Sequence, residues 1–234
     1  MPRVFCARSM HVAVTALARR LEAGSGAAPE IVFEPMGALQ ARLAAGETAD
    51  VLILAAPAID ALLTSGALVS GSCAAIARAP IGIAVREGAP TPDISTADAF
   101  KDALRTARAI ALSDPAVGGT AGIYLRELFG RIGVAEIVAA KTVAQKSGVA
   151  AADAVGRGEA DLAMTFIPEL LQGNGVRILG PLPPPYGHAT AYAAGVSVRS
   201  GFPDAARAFI AVLTARDAAS VWSAAGFEVA GRMG

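Results

Sequence analysis

Short runs of apolar residues alternate with amphipathic stretches along this chain, and that alternation limits what it can fold into more than any other feature. The runs are Arg3–Ala7, Glu30–Glu34, Val51–Ala55, Gly82–Arg86, Ala109–Ser113, Leu162–Phe166 and Ala194–Val198. They are β-branched or continuously apolar, the pattern of strands buried on both faces. Between them the period changes. Met10–Ala23 sets Val14, Leu17 and Leu21 on one stripe and stops at Gly24, and Ile123–Ile132 sets Leu125, Leu128, Phe129 and Ile132 at helical spacing and stops at Gly133. Strand and helix in turn predict an α/β protein with a mostly parallel sheet and right-handed crossovers.

With 234 residues the chain has room for one large or two modest domains. Two stretches read as passages between lobes: Arg78–Val85, which leads into the loop Arg86–Asp93, and the proline-rich Gly180–Tyr186, after which Thr190–Val198 resumes a strand. The expected division is residues 1–81 plus 190–234 as one lobe, closed by helices at Pro203–Ala215 and Asp217–Ala225. Residues 82–189 form the other lobe, inserted through a hinge of two strands.

Several functions are excluded at this level. Formal net charge is zero and Lys and Arg are scattered, whereas a nucleic acid demands clustered cations. The longest apolar stretches are Val51–Ile59 and Cys73–Val85, the second broken by Arg78 and Pro80. Neither reaches the roughly 20 residues of a membrane span. Met1-Pro2-Arg3 runs directly into Val4-Phe5-Cys6-Ala7 without the segments of a secretory signal. The expectation is a cytoplasmic chain as written, or a periplasmic one if the sequence is a trimmed mature form. Cys6 and Cys73 lie in apolar runs and read as buried free thiols. There is no P-loop, no Gly-x-Ser-x-Gly elbow and no His/Cys/Asp cluster, so neither cofactor nor metal is expected.

Chemistry is therefore expected where strands hand over to helices, since open α/β sheets bind ligands at the carboxyl ends of their strands. Unpaired N–H groups and the positive helix end suit an anion there. Four junctions qualify: Ala7-Arg8-Ser9-Met10, Pro35-Met36-Gly37-Ala38, Asp114 through Gly122, which includes Thr120 and Ala121, and Gln145-Lys146-Ser147-Gly148. Each also has a purely structural meaning: Ser9 and Thr120 as N-caps, Gly118, Gly119 and Gly122 as turn residues, Arg8 and Lys146 as solvated charges. Four junctions offering the same kind of donor, with a cation beside two of them, favour carboxylate or phosphate recognition.

At these residues the sequence also resembles the periplasmic molybdate-binding family, type II solute-binding proteins of ABC transporters. The resemblance runs over nearly the whole chain. It is carried by Gly37-Ala38-Leu39, Ala45-Gly46-Glu47, Ala49-Asp50-Val51-Leu52-Ile53, Ile76-Ala77-Arg78 and Ser113-Asp114-Pro115. Ala121-Gly122-Ile123-Tyr124, Gly158-Glu159-Ala160-Asp161-Leu162 and Gly180-Pro181-Leu182-Pro183 complete it. It implies a two-lobed type II periplasmic-binding-protein-like fold with a two-strand hinge and a central cleft, a small anionic ligand and, if the protein is exported, an ABC permease as partner.

Residue by residue, the resemblance puts the family's first-loop serine at Ser9, its second-lobe backbone contact at Ala121, and a further backbone position near Gly148. Its second serine falls at Met36 and its tyrosine at Phe166, while Arg8 stands where the molybdate binders carry a small residue. A site that has lost hydroxyl donors and gained an arginine favours an organic carboxylate over molybdate, with Met36 and Phe166 flanking its carbon skeleton and Gly37, Thr120 and Lys146 nearby. Aconitate isomerase shares this superfamily, so the alternative is a cofactor-free isomerase of a carboxylate. Such an enzyme needs a base, for which Glu34, Glu169, His11 and Lys146 are the candidates.

Overall fold

The protein is described here from a computed structural model, over residues 1–26, 28–117 and 119–229. In chain order the elements begin with β1 (Arg3–Ala7), α1 (His11–Ser25), β2 (Glu30–Glu34), α2 (Met36–Ala44), β3 (Val51–Ala55), α3 (Ala56–Thr64) and β4 (Ala74–Arg86). There follow α4 (Ala97–Thr106), β5 (Ile110–Ser113), α5 (Thr120–Arg131), α6 (Ala135–Ala139), β6 (Thr142–Gln145), α7 (Gly148–Gly156), β7 (Leu162–Phe166) and α8 (Ile167–Leu170). The chain ends with β8 (Val176–Pro181), β9 (Ala189–Val196), α9 (Pro203–Thr214), α10 (Ala218–Ala224) and β10 (Glu228–Val229).

These elements form two compact units, Met1–Ala79 with Thr190–Gly234 and Pro80–Ala189. The chain passes from one to the other inside β4 and again at the first residue of β9, so both passages are made by strands. In the first unit the ladder order is β2-β1-β3-β9 and continues to β4, which also pairs with β10. In the second it is β4-β7-β5-β6, with β8 also on β4.

Each unit has a three-stranded parallel centre, β2-β1-β3 in one and β6-β5-β7 in the other. The remaining ladders are antiparallel: β9 on β3, and β7, β8 and β10 on β4. The sheet is thus mixed rather than mostly parallel. β4 and β9 carry the chain between units instead of following a helical crossover, and an antiparallel partner needs none. β6 has four residues and is half buried, and β8 is half buried and ends in Gly180-Pro181, so both lack the apolar signature of a central strand.

The same device opens both parallel centres. The segments Gly46-Glu47-Thr48-Ala49-Asp50 and Gly158-Glu159-Ala160-Asp161 each leave a helix through a glycine in the left-handed region, φ +88° and +79°. Each ends in an aspartate at the mouth of the next strand. Asp50 accepts the Arg3 N–H at 2.7 Å and returns its own N–H to the Arg3 carbonyl, also at 2.7 Å. It further accepts the Ser200 hydroxyl at 2.7 Å and the Gly201 N–H at 2.9 Å. Asp161 accepts the Arg108 N–H at 2.7 Å and donates its own N–H to the Ala109 carbonyl at 2.9 Å. One carboxylate therefore fixes the register between β1 and β3, and another that between β5 and β7. A slip there would turn every side chain to the wrong face.

Cores fill in around these centres. In the first unit Phe5, Leu39, Leu52, Leu54, Ile59 and Leu68 pack together, with Met36 and the half-buried Cys73 against them. In the second the cluster is mostly alanine (Ala84, Ala111, Ala151, Ala152, Ala154, Ala160 and Ala163, with Val155 and Leu170), small enough to let α7 lie close on its strands. Burial pushes the Cys6 thiol up, as expected of an inert core cysteine. Among the described residues no helix is long and apolar enough to cross a membrane.

Burial alone would raise the Asp50 pKa, but the hydrogen bonds from Arg3, Ser200 and Gly201 overcome it and hold the carboxyl below its ordinary 3.8. A depressed carboxylate contributes stability above its unfolded pKa, and that contribution is lost as pH falls through the folded value. Asp50→Ala should therefore lower the unfolding free energy by about 3 kcal/mol at neutral pH, with the gap to the unsubstituted protein narrowing at acid pH. Chemical denaturation across pH checks both; equal stability of the two proteins at pH 7 would contradict the assigned role.

Candidate functional site

In the first unit β1 and β2 run side by side, in register from Arg3↔Glu30 to Ala7↔Glu34, so the residues that follow them emerge at one edge. After β1 the chain turns through a short 3₁₀ segment, Arg8–Met10, before α1 starts at His11. Arg8 is exposed; its carbonyl accepts the His11 N–H, while its guanidinium makes no hydrogen bond or ion pair among the described residues. Ser9 is only 7% exposed, and its hydroxyl lies 2.9 Å from the Tyr192 hydroxyl, on β9, which is 2% exposed. Ser9 is thus half of a buried hydroxyl pair and not an N-cap. After β2, Met36 and the exposed Gly37 open α2, which has no side-chain cap. Ala38 and Leu39 donate to the Pro35 carbonyl at 3.0 and 3.1 Å, which leaves the Met36 and Gly37 N–H groups open among the described residues.

Of the candidate bases here, Glu34 is clamped. Arg42 donates to both its oxygens, Nε to Oε2 at 2.9 Å and an Nη to Oε1 at 2.6 Å. Those bonds, against the opposing effect of burial and with help from the Arg42 and Arg8 charges, hold the Glu34 carboxyl below its usual range. His11 is exposed at the start of α1, with its ring edge-on to Phe33 at 4.7 Å between centroids.

In the second unit the same edge is formed by β6, β5 and β7, with Ser113↔Gln145 and Leu112↔Met164 as the last ladder pairs. Thr120 and the buried Ala121 are the first two residues of α5, whose N-cap position is Gly119, with no side-chain cap. Thr120 is therefore inside the helix and does not cap it. Gly122 lies within α5 rather than in a turn, and Gly118 falls outside the described residues. Asp114 closes its own loop by accepting the Ala116 N–H at 2.8 Å. Lys146 is exposed, and Ser147 caps α7 by accepting the Ala150 N–H at 3.1 Å. Gly148, buried, is the first residue of α7. Phe166, 3% exposed, ends β7 opposite Ile81.

Glu169, one turn past Phe166, has a larger place in this unit than its sequence position suggests. Its carboxylate is 9% exposed and accepts the Thr165 hydroxyl at 2.6 Å. Both groups rest on the backbone of Gly148: a Cβ there would stand 2.2 Å from Glu169 Oε2 and from Thr165 Oγ1. A buried carboxylate thus faces the head of α7, where the helix dipole favours it. The i, i+4 spacing of Thr165 and Glu169 across the strand–helix corner was the available sequence signal. Tyr192 gave none, since its partner Ser9 lies 183 positions away.

Nine sequence-predicted residues are thereby placed. Arg8, Ser9, Met36 and Gly37 lie at the carboxyl ends of β1 and β2 in one unit. Thr120, Ala121, Lys146, Gly148 and Phe166 lie at those of β5, β6 and β7 in the other.

Residues 2–228 match the family model described as bacterial extracellular solute-binding protein. An aconitate isomerase of Pseudomonas sp is 36% identical over 207 residues, covering 86% of this chain and 75% of that protein. The periplasmic molybdate-binding protein of Azotobacter vinelandii superposes with a TM-score of 0.80 at 20% identity, over 99% of this chain and 100% of that one. The sulfate-binding protein of Mycobacterium tuberculosis H37Rv gives 0.78 at 18% identity, over 99% and 87%. At such identities the solved structures speak for the fold alone.

The Glu169–Thr165 pair leaves no room for a side chain at 148. Gly148→Ala should destabilise the protein by about 1–3 kcal/mol through overpacking, read as a lowered denaturation midpoint. The same substitution in a Glu169→Ala background should be better tolerated. An equal cost in both backgrounds would show that the carboxylate is not what the glycine accommodates.

Proposed function

This chain belongs to the bacterial extracellular solute-binding protein family, and from that premise we propose that it binds a small organic carboxylate through strand-end residues of its first unit, Arg8, Met36 and Gly37. The observation that carries this is Arg8: an exposed guanidinium with no hydrogen bond or ion pair among the described residues, directly before the buried Ser9–Tyr192 hydroxyl pair. A guanidinium supplies paired donors in the geometry a carboxylate accepts. The uncapped head of α2 adds the Gly37 N–H beside it, and Met36 offers apolar surface at the same strand ends. As a receptor, the protein would hand this ligand to an ABC permease. In calorimetry with trans-aconitate as probe, Arg8→Ala should weaken binding about tenfold or more with little change in melting temperature. Equal affinities would remove Arg8 from the site.

Glu169 favours a second reading, isomerisation of the bound carboxylate. It is a buried carboxylate beside Gly148, on the turn that follows Phe166, and a relative at 36% identity is named aconitate isomerase. The reaction would be an allylic shift: the Glu169 carboxylate takes a proton from one carbon, the double bond moves, and the proton returns to another. Nothing is oxidised or reduced. Proton NMR in deuterium oxide should then show trans-aconitate converting to the cis isomer with deuterium entering the product, and Glu169→Gln should abolish both. Tight binding with no exchange would leave the receptor function alone.

A further inference from the structure

We infer that Arg42 is a positioning residue for the ligand: by clamping Glu34, it keeps that carboxylate from pairing with Arg8 and so leaves the Arg8 guanidinium open to an incoming anion. The inference rests on the assignment of Arg8 as a ligand residue. Glu34 is the nearest anionic threat to that role, because Ala7 and Glu34 are register partners on adjacent strands roughly 5 Å apart and Arg8 follows Ala7 directly. A flexible carboxylate at that spot would pair with Arg8 and neutralise it.

The geometry prevents this. Arg42, one turn from the end of α2, turns its guanidinium back onto Glu34 through two bonds of 2.9 and 2.6 Å. The other side of the same fork is held by Glu47, whose two oxygens accept from one Nη at 2.9 and 3.0 Å. Arg3 in turn contacts Glu47 at 3.5 Å. Arg42 is thus pinned independently of Glu34, and a planar fork fixed on one side is pre-organised for the carboxylate on the other. The Arg8 charge does reach Glu34, among the influences that keep its carboxyl ionised. Yet Arg8 makes no ion pair with it among the described residues. The clamp is half-buried, and its consequence for Arg8 is where the negative charge is held.

The two partners of the clamp can be told apart because removing either breaks the same ion pair with opposite effect on Arg8. Arg42→Met should weaken trans-aconitate binding about threefold or more, since Glu34 is then released onto Arg8. Glu34→Gln should bind at least as tightly as the unsubstituted protein, and the double variant should recover the affinity lost in Arg42→Met. If both single variants weaken binding alike, the clamp is merely structural and the inference fails; no effect from Arg42→Met overturns it as well. A second measurement needs no ligand: modification of Arg8 by phenylglyoxal, followed by peptide mass spectrometry. It should slow in Arg42→Met and be unchanged in Glu34→Gln. An unchanged rate in Arg42→Met defeats the inference whether or not trans-aconitate binds. Arg8→Ala binding as tightly as the unsubstituted protein defeats instead the assignment on which it rests.

Discussion

Two aspartates set the frame on which everything else is hung. Asp50 and Asp161 each sit where a helix has just ended, and each bonds to the first residues of the strand next door. A parallel ladder has no hairpin to set its register, so a fixed point at its opening end decides where its far end lies. With that point fixed, the carboxyl ends of β1, β2 and β3 come level in one unit, and those of β5, β6 and β7 in the other. Burial works against ionised carboxylates, and the hydrogen bonds they accept outweigh it: backbone N–H groups and the Ser200 hydroxyl for Asp50, the Arg108 guanidinium and backbone N–H groups for Asp161. The candidate ligand residues sit at strand ends and helix starts, so their positions are inherited from these staples.

At the strand ends the polar groups sort into those already committed within the protein and those left open. Ser9 is committed to Tyr192, Glu34 to Arg42, Glu169 to Thr165 and Ser147 to the head of α7. Arg8 and the uncapped starts of α2 and α5 are open. Donors of that kind stabilise an anion without taking a proton from it. Glu169 is the group that lends the arrangement a possible chemistry, since it brings a carboxylate to Gly148 and Phe166. The proposed binding and the proposed isomerisation therefore draw on different residues and are separable by substitution.

Much of this architecture could be read from sequence alone. β1, β3 and β7 have the predicted bounds because buried strands print their environment as apolar runs, and the half-buried edge strand β2 does so because of its Ile31-Val32-Phe33 centre. β6 left no such mark, being four residues long and half exposed, and β8 left none because it runs into Gly180-Pro181. The antiparallel sense of β4 and β9 depends on how the chain returns, which no local pattern records. Among site residues, the strand–helix junctions were visible because loops with small residues before a helix are a local feature. What the side chains do there was not. Ser9 and Thr120 both pass for N-caps until Tyr192 and the true start of α5 are known, and the glycine at 148 makes sense only once Glu169 folds back upon it.

The central proposal is that the open Arg8 guanidinium beside Met36 suits this solute-binding fold to organic carboxylates rather than tetrahedral oxyanions. The most direct measurement is the melting temperature of the unsubstituted protein with saturating molybdate, sulfate or trans-aconitate, at one ionic strength. A ligand that binds only the folded state raises that temperature in proportion to the logarithm of its saturation. The account predicts a clear rise with trans-aconitate and none with either oxyanion; a rise with molybdate that matches or exceeds that with the carboxylate would contradict it.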